Sequence, residues 1–385
     1  MNPNAEFDII VYGATGFTGR LVAEHLAARY GVDGEVRWAM AGRSADKLAQ
    51  VRDEIGAPAN TPLIVADAAD PASLRAMVAR GKAILTTVGP YQLYGSDLVA
   101  TCAATGTDYL DLSGEPTWMA EMIVAHDAAA KASGARILFS CGFDSIPFEL
   151  GVFYTQRLAR ARLGHAVPRI KGRVRSMNGG LSGGTAASGA ATMAAIQKNP
   201  ALVGIMFNPF ALTPGFTGPE QPRGDKAYVD EDLGQEVGPF MMATINTKNV
   251  HRSNLLQAHA YGTDFAYDEM SVVTPGAPTG FTDLGGAGAP KPGEGPSKAE
   301  REAGFYDLLF VGIDADGNQV RGSVYGDKDP GYGSTSKIIA ETAICLVQEA
   351  PEVAGGIWVP GAALGDRLVT RLADRAGLTF KDETA

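Results

Sequence analysis

The chain has 385 residues, of which 45% are hydrophobic and 20% charged, and a formal net charge of -10. That length suits two domains with large cores, in a composition ordinary for globular proteins. The acidic balance excludes a general affinity for nucleic acid. The three cysteines, Cys102, Cys141 and Cys345, are odd in number and far apart, which argues against a disulfide framework or a metal knuckle. The five histidines show no H-x-x-x-H spacing, so no metal site is expected. "MNPNAEFD" runs straight into the first strand, leaving no room for a signal peptide. No apolar run approaches the roughly 20 residues needed to span a bilayer. The expected location is the cytoplasm, with a place peripheral to the plasma membrane left open.

The first 141 residues alternate short β-rich runs, "FDIIVYG", "EVRWAMAG", "TPLIVAD", "AILTTVG", "DYLDLSG" and "ARILFSCG", with helical patterns over Thr18–Tyr30, Ala45–Ile55, Pro71–Ala79, Ser96–Thr105 and Thr117–Ser133. Strands that are apolar throughout belong in a sheet covered on both faces, so an α/β fold with a Rossmann-type, doubly wound parallel sheet is expected over residues 1–145. A connecting helix follows over 146–164. Residues 165–327 read as a second α/β (α+β) domain carrying an antiparallel sheet, with a strand at "RIKGRVRSM", a small-residue helix over Thr185–Gln197 and a hairpin turning near Asp316–Asn318. "TPGAPTGFTDLGGAGAPKPGEGPS" reads as a mobile loop. Residues 328–385 read as a helix, about Thr335–Ala350, and a tail packing back on the first domain.

The turn from the first strand into the first helix is "GATGFTG", with Gly13, Gly16 and Gly19 at three-residue intervals. The first glycine permits a sharp turn, the second lets a pyrophosphate approach the backbone, and the third lets helix and strand pack closely. Amides of Thr15, Gly16, Phe17 and Thr18 then face the anion at the positive end of the helix. Where an NAD enzyme places an acidic residue after the second strand, this chain reads "GRSADKL". Arg43 suits a 2′-phosphate, Ser44 can donate to it, and Lys47 lies one turn further on the same face; NADP(H) is the expected coenzyme.

"TTVGPY" ends the fourth strand at the edge where ligands collect, so Val88, Gly89 and Pro90 are expected to line ribose and nicotinamide. Tyr91 is either an acid near the reactive carbon or an aromatic packing residue. In "DLSGE", Asp111 and Glu115 serve either substrate and proton handling or helix capping. In "CGFDSIP", Asp144 and Ser145 read as caps of the next helix and Cys141 as buried. The "NGGLSGGTAASG" turn offers amides to a substrate oxygen, or lets its helix pack closely. Leu202–Phe216 covers an apolar channel, touches lipid, or lies in the second core.

Together "VYGATGFTGRLVAEHL", "AGRSADKL", "TTVGPYQLYG", "GTDYLDLSGE", "CGFDSIPFELG", "GGLSGGTAASG" and "DPGYGSTSKIIAETA" resemble the saccharopine dehydrogenase-like oxidoreductases, and within them the trans-acting enoyl reductases, over about Phe7 to Phe380. The resemblance implies a Rossmann domain plus a second α/β domain with a discontinuous boundary, and places the coenzyme loop on Gly13, Gly16 and Gly19 and the phosphate-side role on Arg43. It further implies NADPH-dependent reduction, in trans, of an enoyl double bond on a small-molecule or carrier-bound, polyketide-derived lipid intermediate of glycolipid biosynthesis, and association with the plasma membrane or lipid bodies. Tyr91 and Glu115 are the catalytic candidates. Two alternatives stand beside this reading: an imine or amino-acid-type dehydrogenase, which needs basic residues in the second domain to hold two or more substrate carboxylates, where Arg169, Lys171, Arg173 and Arg175 lie but alternate along one strand as a solvent face would, and a non-catalytic NADP(H)-sensing protein. A homodimer is left open.

Overall fold

The computed structural model describes residues 5–32, 34–180, 183–273, 291 and 293–385. The long Gly/Pro-rich loop expected around residues 274–297 lies mostly outside them. Its first half runs β1 (Phe7–Tyr12), α1 (Phe17–Tyr30), β2 (Trp38–Gly42), α2 (Ala45–Glu54), β3 (Leu63–Val65), α3 (Pro71–Val78), β4 (Gly81–Thr86), α4 (Tyr91–Tyr94), α5 (Ser96–Thr105), β5 (Asp108–Leu110), α6 (Pro116–Ser133), β6 (Arg136–Leu138) and α7 (Ile146–Leu163). The second half runs β7 (Arg169–Asn178), α8 (Gly183–Lys198), α9 (Leu202–Phe207), β8 (Tyr228–Asp230), β9 (Gln235–Pro239), α10 (Ala243–Leu256), β10 (Ala266–Val272), α11 (Lys298–Ala303), β11 (Phe305–Ile313), β12 (Gln319–Gly326), α12 (Thr335–Ile344), β13 (Gly356–Trp358), α13 (Pro360–Arg375) and β14 (Leu378–Asp382). Among the described residues no helix is long and apolar enough to cross a membrane.

Two seven-stranded sheets result. The first is parallel throughout, in the order β13-β6-β5-β4-β1-β2-β3, the doubly wound arrangement with a strand from near the C-terminus added at one edge. Its central strand shows why the sequence is apolar without alternation. Ile9 and Val11 enter one core with Val22 and Leu26 of α1, while Ile10 and Tyr12 enter the other with Leu74 of α3 and Val99 of α5. Every residue of β1 and β2 is buried, as a sheet covered on both faces requires.

The second sheet has the order β14-β12-β11-β7-β10-β9-β8. It is antiparallel except for one pair, β7 with β10. The parallel pair arises because the chain between them returns through α8, α9 and α10 to start β10 at the same end as β7. The expected hairpin is β11–β12, whose turn is held by Asp314 Oδ1, accepting from the amides of Asp316 at 3.0 Å and Asn318 at 2.8 Å. The region after α12 is more than a tail: β13 joins the first sheet beside β6, α13 packs on α7, and β14 joins the second sheet beside β12.

The sheets share one core. The cluster holding Ile9 and Val11 continues through Ile338 and Ile339 of α12 and Phe148 of α7 to Phe310 and Val324 of the second sheet. At Gly151 of α7 a Cβ would stand 2.1 Å from the Phe310 ring, so only glycine lets helix and sheet approach this closely.

The four basic residues of β7 do not form the solvent face that their alternation suggests. Arg173 is 1% exposed and donates to Asp230 at 2.8 Å, Asp268 at 2.9 Å and the Tyr228 hydroxyl at 2.9 Å. Arg169 pairs with Asp268, Lys171 with Asp232, and Arg175 with Asp307 and Glu383. Removing a buried cation strands its carboxylates. Arg173→Ala is therefore expected to lower the stability of the second sheet by ~3–5 kcal/mol, read as a fall in the urea midpoint; an unchanged midpoint contradicts the pairing.

Candidate functional site

The turn after β1 is built around one carbonyl. Gly13 has φ +92°, a left-handed conformation that glycine adopts without penalty, and its amide donates to Ala41 O of β2 at 2.9 Å. Its carbonyl accepts from Gly16 N at 2.9 Å and from Thr87 Oγ1 at 3.3 Å. A Cβ at Gly13 would meet Thr87 Oγ1 and Val88 Cγ2, both at 2.8 Å, and one at Gly19 would lie 2.2 Å from the Gly13 carbonyl oxygen. Gly16 is exposed, and no side chain caps α1. Contrary to expectation the Gly16 amide is not free for an anion, since the Gly13 carbonyl takes it; those of Thr15, Phe17 and Thr18 have no acceptor among the described residues and lie at the positive end of a 14-residue helix, a cradle suited to a phosphate anion. The Phe17 ring sits edge-on to Tyr332 at 5.1 Å, with the Arg301 guanidinium 5.6 Å from its centre, so what this residue offers an anion is its amide.

At the end of β2, Arg43 and Lys47 are exposed, and among the described residues neither has a carboxylate partner. Ser44 is the N-cap of α2, its Oγ accepting from Lys47 N at 3.3 Å, which leaves its hydroxyl proton to donate. Arg43 lies near Tyr12, whose hydroxyl burial and Asp67 push up to about 12 against the pull of that guanidinium.

The loop after β4 carries Val88, half-buried, Gly89, exposed, and Pro90, buried. Gly89 faces α8: a Cβ there would lie 3.7 Å from Ser188 Oγ, and Gln92 donates to Thr192 Oγ1 at 3.3 Å. Tyr91 is 5% exposed and stacks on Trp118 at 5.7 Å. Its hydroxyl donates to Thr86 O at 3.3 Å and accepts from Leu112 N at 3.1 Å, while burial raises its proton affinity well above the ordinary phenol range. Glu115 is 2% exposed, and its two carboxylate oxygens accept from Tyr91 N and Gln92 N, each at 2.9 Å. The structure therefore gives both side chains to the joint between the β4 and β5 loops. Neither has an oxygen left facing a substrate as they stand.

Asp111 is fully buried and accepts from the Tyr109 hydroxyl at 2.9 Å, Ser113 N at 2.9 Å and Ser140 N at 3.0 Å; burial lifts its carboxyl to about 7 against these bonds. Cys141 is buried, and burial pushes its thiol well up. Asp144 does not cap α7. Ser145 holds the N-cap position without a side-chain capping bond, its Oγ instead accepting from Asn249 Nδ2 at 2.8 Å, and no hydrogen bond or ion pair to Asp144 exists among the described residues. In the second Gly-rich stretch, Leu181 and Ser182 lie outside the described residues, and Gly183 already opens α8. Leu202–Phe216 divides: α9 has no buried residue and Phe207 is 84% exposed, whereas Phe210 and Leu212 are buried.

This geometry has relatives. The family model for the saccharopine dehydrogenase NADP binding domain matches residues 9–138. A trans-acting enoyl reductase of Mycobacterium ulcerans is 36% identical over 95% of this chain and 96% of its own; one of Mycobacterium leprae is 35% identical over 97% of each. The chain belongs to the trans-acting enoyl reductase family. Among solved structures, the saccharopine dehydrogenase (L-Glu forming) of Saccharomyces cerevisiae superposes with a TM-score of 0.56 at 12% identity, over 98% of this chain and 100% of that one, a likeness of fold. The coenzyme of this family member is NADP(H) and its chemistry is oxidoreduction, consistent with the glycine cradle and with Arg43, which has no carboxylate partner among the described residues.

The glycine turn supplies a direct test. A methyl at Gly19 must displace the Gly13 carbonyl, and a forced backbone shift costs ~1–3 kcal/mol. Gly19→Ala is expected to weaken NADPH binding by about tenfold or more in a fluorescence titration; unchanged affinity would show that the turn does not hold the pyrophosphate.

Proposed function

We propose that the protein is an NADPH-dependent reductase of enoyl double bonds on a lipid or polyketide-derived thioester, acting in trans on a substrate made elsewhere. The carrying observation is the full-length relationship to trans-acting enoyl reductases. Amides of Thr15, Phe17 and Thr18 orient the pyrophosphate, the Gly16 amide being held by the Gly13 carbonyl, Gly13 and Gly19 let the turn close, and Arg43, Ser44 and Lys47 hold the 2′-phosphate. Val88, Gly89 and Pro90 line the ribose and nicotinamide side. NADPH, when bound, supplies the hydride. Tyr91 and Glu115 act as positioning residues that fix the β4 loop beneath it. We read residues 1–145 as the coenzyme domain, 165–327 as the substrate domain, and α8 as the wall across from Gly89.

Two features support an apolar, extended substrate. α8 is rich in Gly and Ala and buries only Gly183, leaving room beside the coenzyme loop, and Met193, Val203 and Phe207 are exposed on the α8–α9 arm. Against an amino-dicarboxylate, every basic side chain of β7 already holds a carboxylate of this chain. The concrete experiment is stopped-flow oxidation of NADPH with 2-enoyl thioesters of increasing chain length. Oxidation is expected to be fastest with long chains and absent with amino-acid imines. Imine reduction with no enoyl turnover would overturn the proposal, as would coenzyme binding with no hydride transfer to any acceptor.

The phosphate side has its own test. Charge-assisted hydrogen bonds contribute ~1.5–3 kcal/mol, so Arg43→Ala should weaken NADPH about 10- to 150-fold and leave NADH unchanged. Equal loss for both coenzymes would place Arg43 elsewhere than on the 2′-phosphate.

A further inference from the structure

The enoyl reading needs a proton at the carbon next to the carbonyl, and neither Tyr91 nor Glu115 is free to give one. The loops after β4, β5 and β6 open on the same edge of the first sheet as the Gly13 turn, and they bring several carboxyls there. Asp111 accepts three hydrogen bonds and Glu115 two. Asp329, close by in the Pro330–Ser334 turn, accepts from Tyr332 N and Gly333 N. Asp144 stands apart: among the described residues no hydrogen bond or ion pair reaches its carboxyl.

The chain on both sides of Asp144 is fixed. Ser140 has φ +60°, a left-handed conformation that a residue with a side chain holds only where its surroundings impose it. Here Ser140 N donates to Asp111 Oδ1 at 3.0 Å, Ser140 Oγ to Ser113 O at 2.6 Å, and Cys141 N to Asp111 O at 2.7 Å. Phe143 N donates to Thr335 Oγ1 at 3.0 Å, and the Phe143 ring packs on Tyr306 at 4.6 Å. Ser145 is held by Asn246 and Asn249 of α10. A strained loop clamped from β5, α10 and α12 thus presents one carboxyl that nothing in the fold uses. Backbone strain of this kind clusters where geometry serves chemistry.

We propose, resting on the enoyl reading, that Asp144 is the catalytic acid that protonates the substrate's α-carbon. Hydride addition at the β-carbon leaves an electron pair delocalised over the α-carbon and the carbonyl oxygen. The α-carbon takes the carboxylic proton: a C–H bond forms, the Asp144 O–H bond breaks, and the saturated thioester and a carboxylate remain. Asp144 is partly exposed, so water restores its proton. Overall the alkene gains one hydride, oxidising NADPH to NADP⁺, and one proton from water. Loss of hydration is the sole cause that lifts the Asp144 carboxyl to about 6, with no charged neighbour contributing, which keeps a protonated fraction available near neutral pH.

The first measurement needs no substrate. A carboxyl facing the nicotinamide feels the positive charge of the oxidised ring, so its titration, followed by infrared difference spectroscopy and assigned by its loss in Asp144→Asn, should lie about one unit or more lower with NADP⁺ bound than with NADPH bound. Identical titration in the two complexes overturns the assignment whatever the substrate is. In the second, Asp144→Asn should bind NADPH within about twofold of the parent and melt at a similar temperature, yet oxidise it with an enoyl thioester about 10²- to 10⁴-fold more slowly. Formate should restore part of the rate to Asp144→Ala. Oxidation by Asp144→Asn at the parent rate overturns the proposal and leaves the enoyl reading standing. A coenzyme-dependent titration in a protein that reduces no enoyl thioester defeats that reading and keeps Asp144 as the acid beside the ring.

Discussion

The Asp111 carboxylate holds the working edge of this protein together. One oxygen accepts from Ser113 N and Ser140 N, the other from the Tyr109 hydroxyl, and its own carbonyl accepts from Cys141 N. Through it the loops after β5 and β6 become one unit, and Glu115 extends that unit to the β4 loop by receiving Tyr91 N and Gln92 N. Polar groups buried this deeply are tolerated only when bonded, so each carboxylate that fixes a loop is also removed from chemistry. Construction and catalysis compete for the same residue types at this edge.

The second constraint is the common core. α12 packs on α1, β1 and β4 of the first sheet, α7 crosses to β11 and β12 of the second, and α13 joins α7 to α12. The Glu341 carboxylate, wholly buried, ties the same layers by accepting from the Tyr30 hydroxyl and Arg371 Nε, each at 2.8 Å. On the proposed reading, a coenzyme site on one sheet and a substrate wall from the other would be set by packing rather than by a flexible linker. α8 and α9 are the poorly buried part of this frame, which suits a wall that must admit a long apolar group.

Much of this was legible in the sequence, for identifiable reasons. The first six strands and the helices between them, the one-turn α4 excepted, follow from apolar runs separated by turn residues, α7 from its span, and β11–β12 from the Asp-Gly-Asn turn between them. The parallel β7–β10 pair was not legible, since register between distant strands leaves no local signal. α10 was missed because its sequence, "ATINTKNVHRSNLL", carries no apolar stripe, yet Asn246, Lys248, Asn249, His251 and Arg252 are all nearly fully buried. The tight glycine turn after β1 could be read because glycine spacing reports backbone directly. The bonding of Tyr91, Glu115 and Asp144 could not, because a carboxyl without a partner and one bonded to two amides look alike in sequence.

The basic residues of this chain divide by pairing: those of β7 hold carboxylates of the chain itself, while Arg43 and Lys47 hold none among the described residues. Arg173 and its partners are desolvated, so lending that guanidinium to a substrate would strip Asp230 of its ion pair and leave Asp268 with Arg169 alone, at a cost of ~3–5 kcal/mol, more than a new ion pair returns. Arg43 and Lys47 are exposed and without carboxylate partners among the described residues, so they exchange only water for a phosphate. In a chain with net charge -10, cations without internal partners decide where an anion settles. The second sheet keeps its arginines for itself, and the β2 edge keeps a pair available, which on the proposed reading separates coenzyme selection from substrate selection.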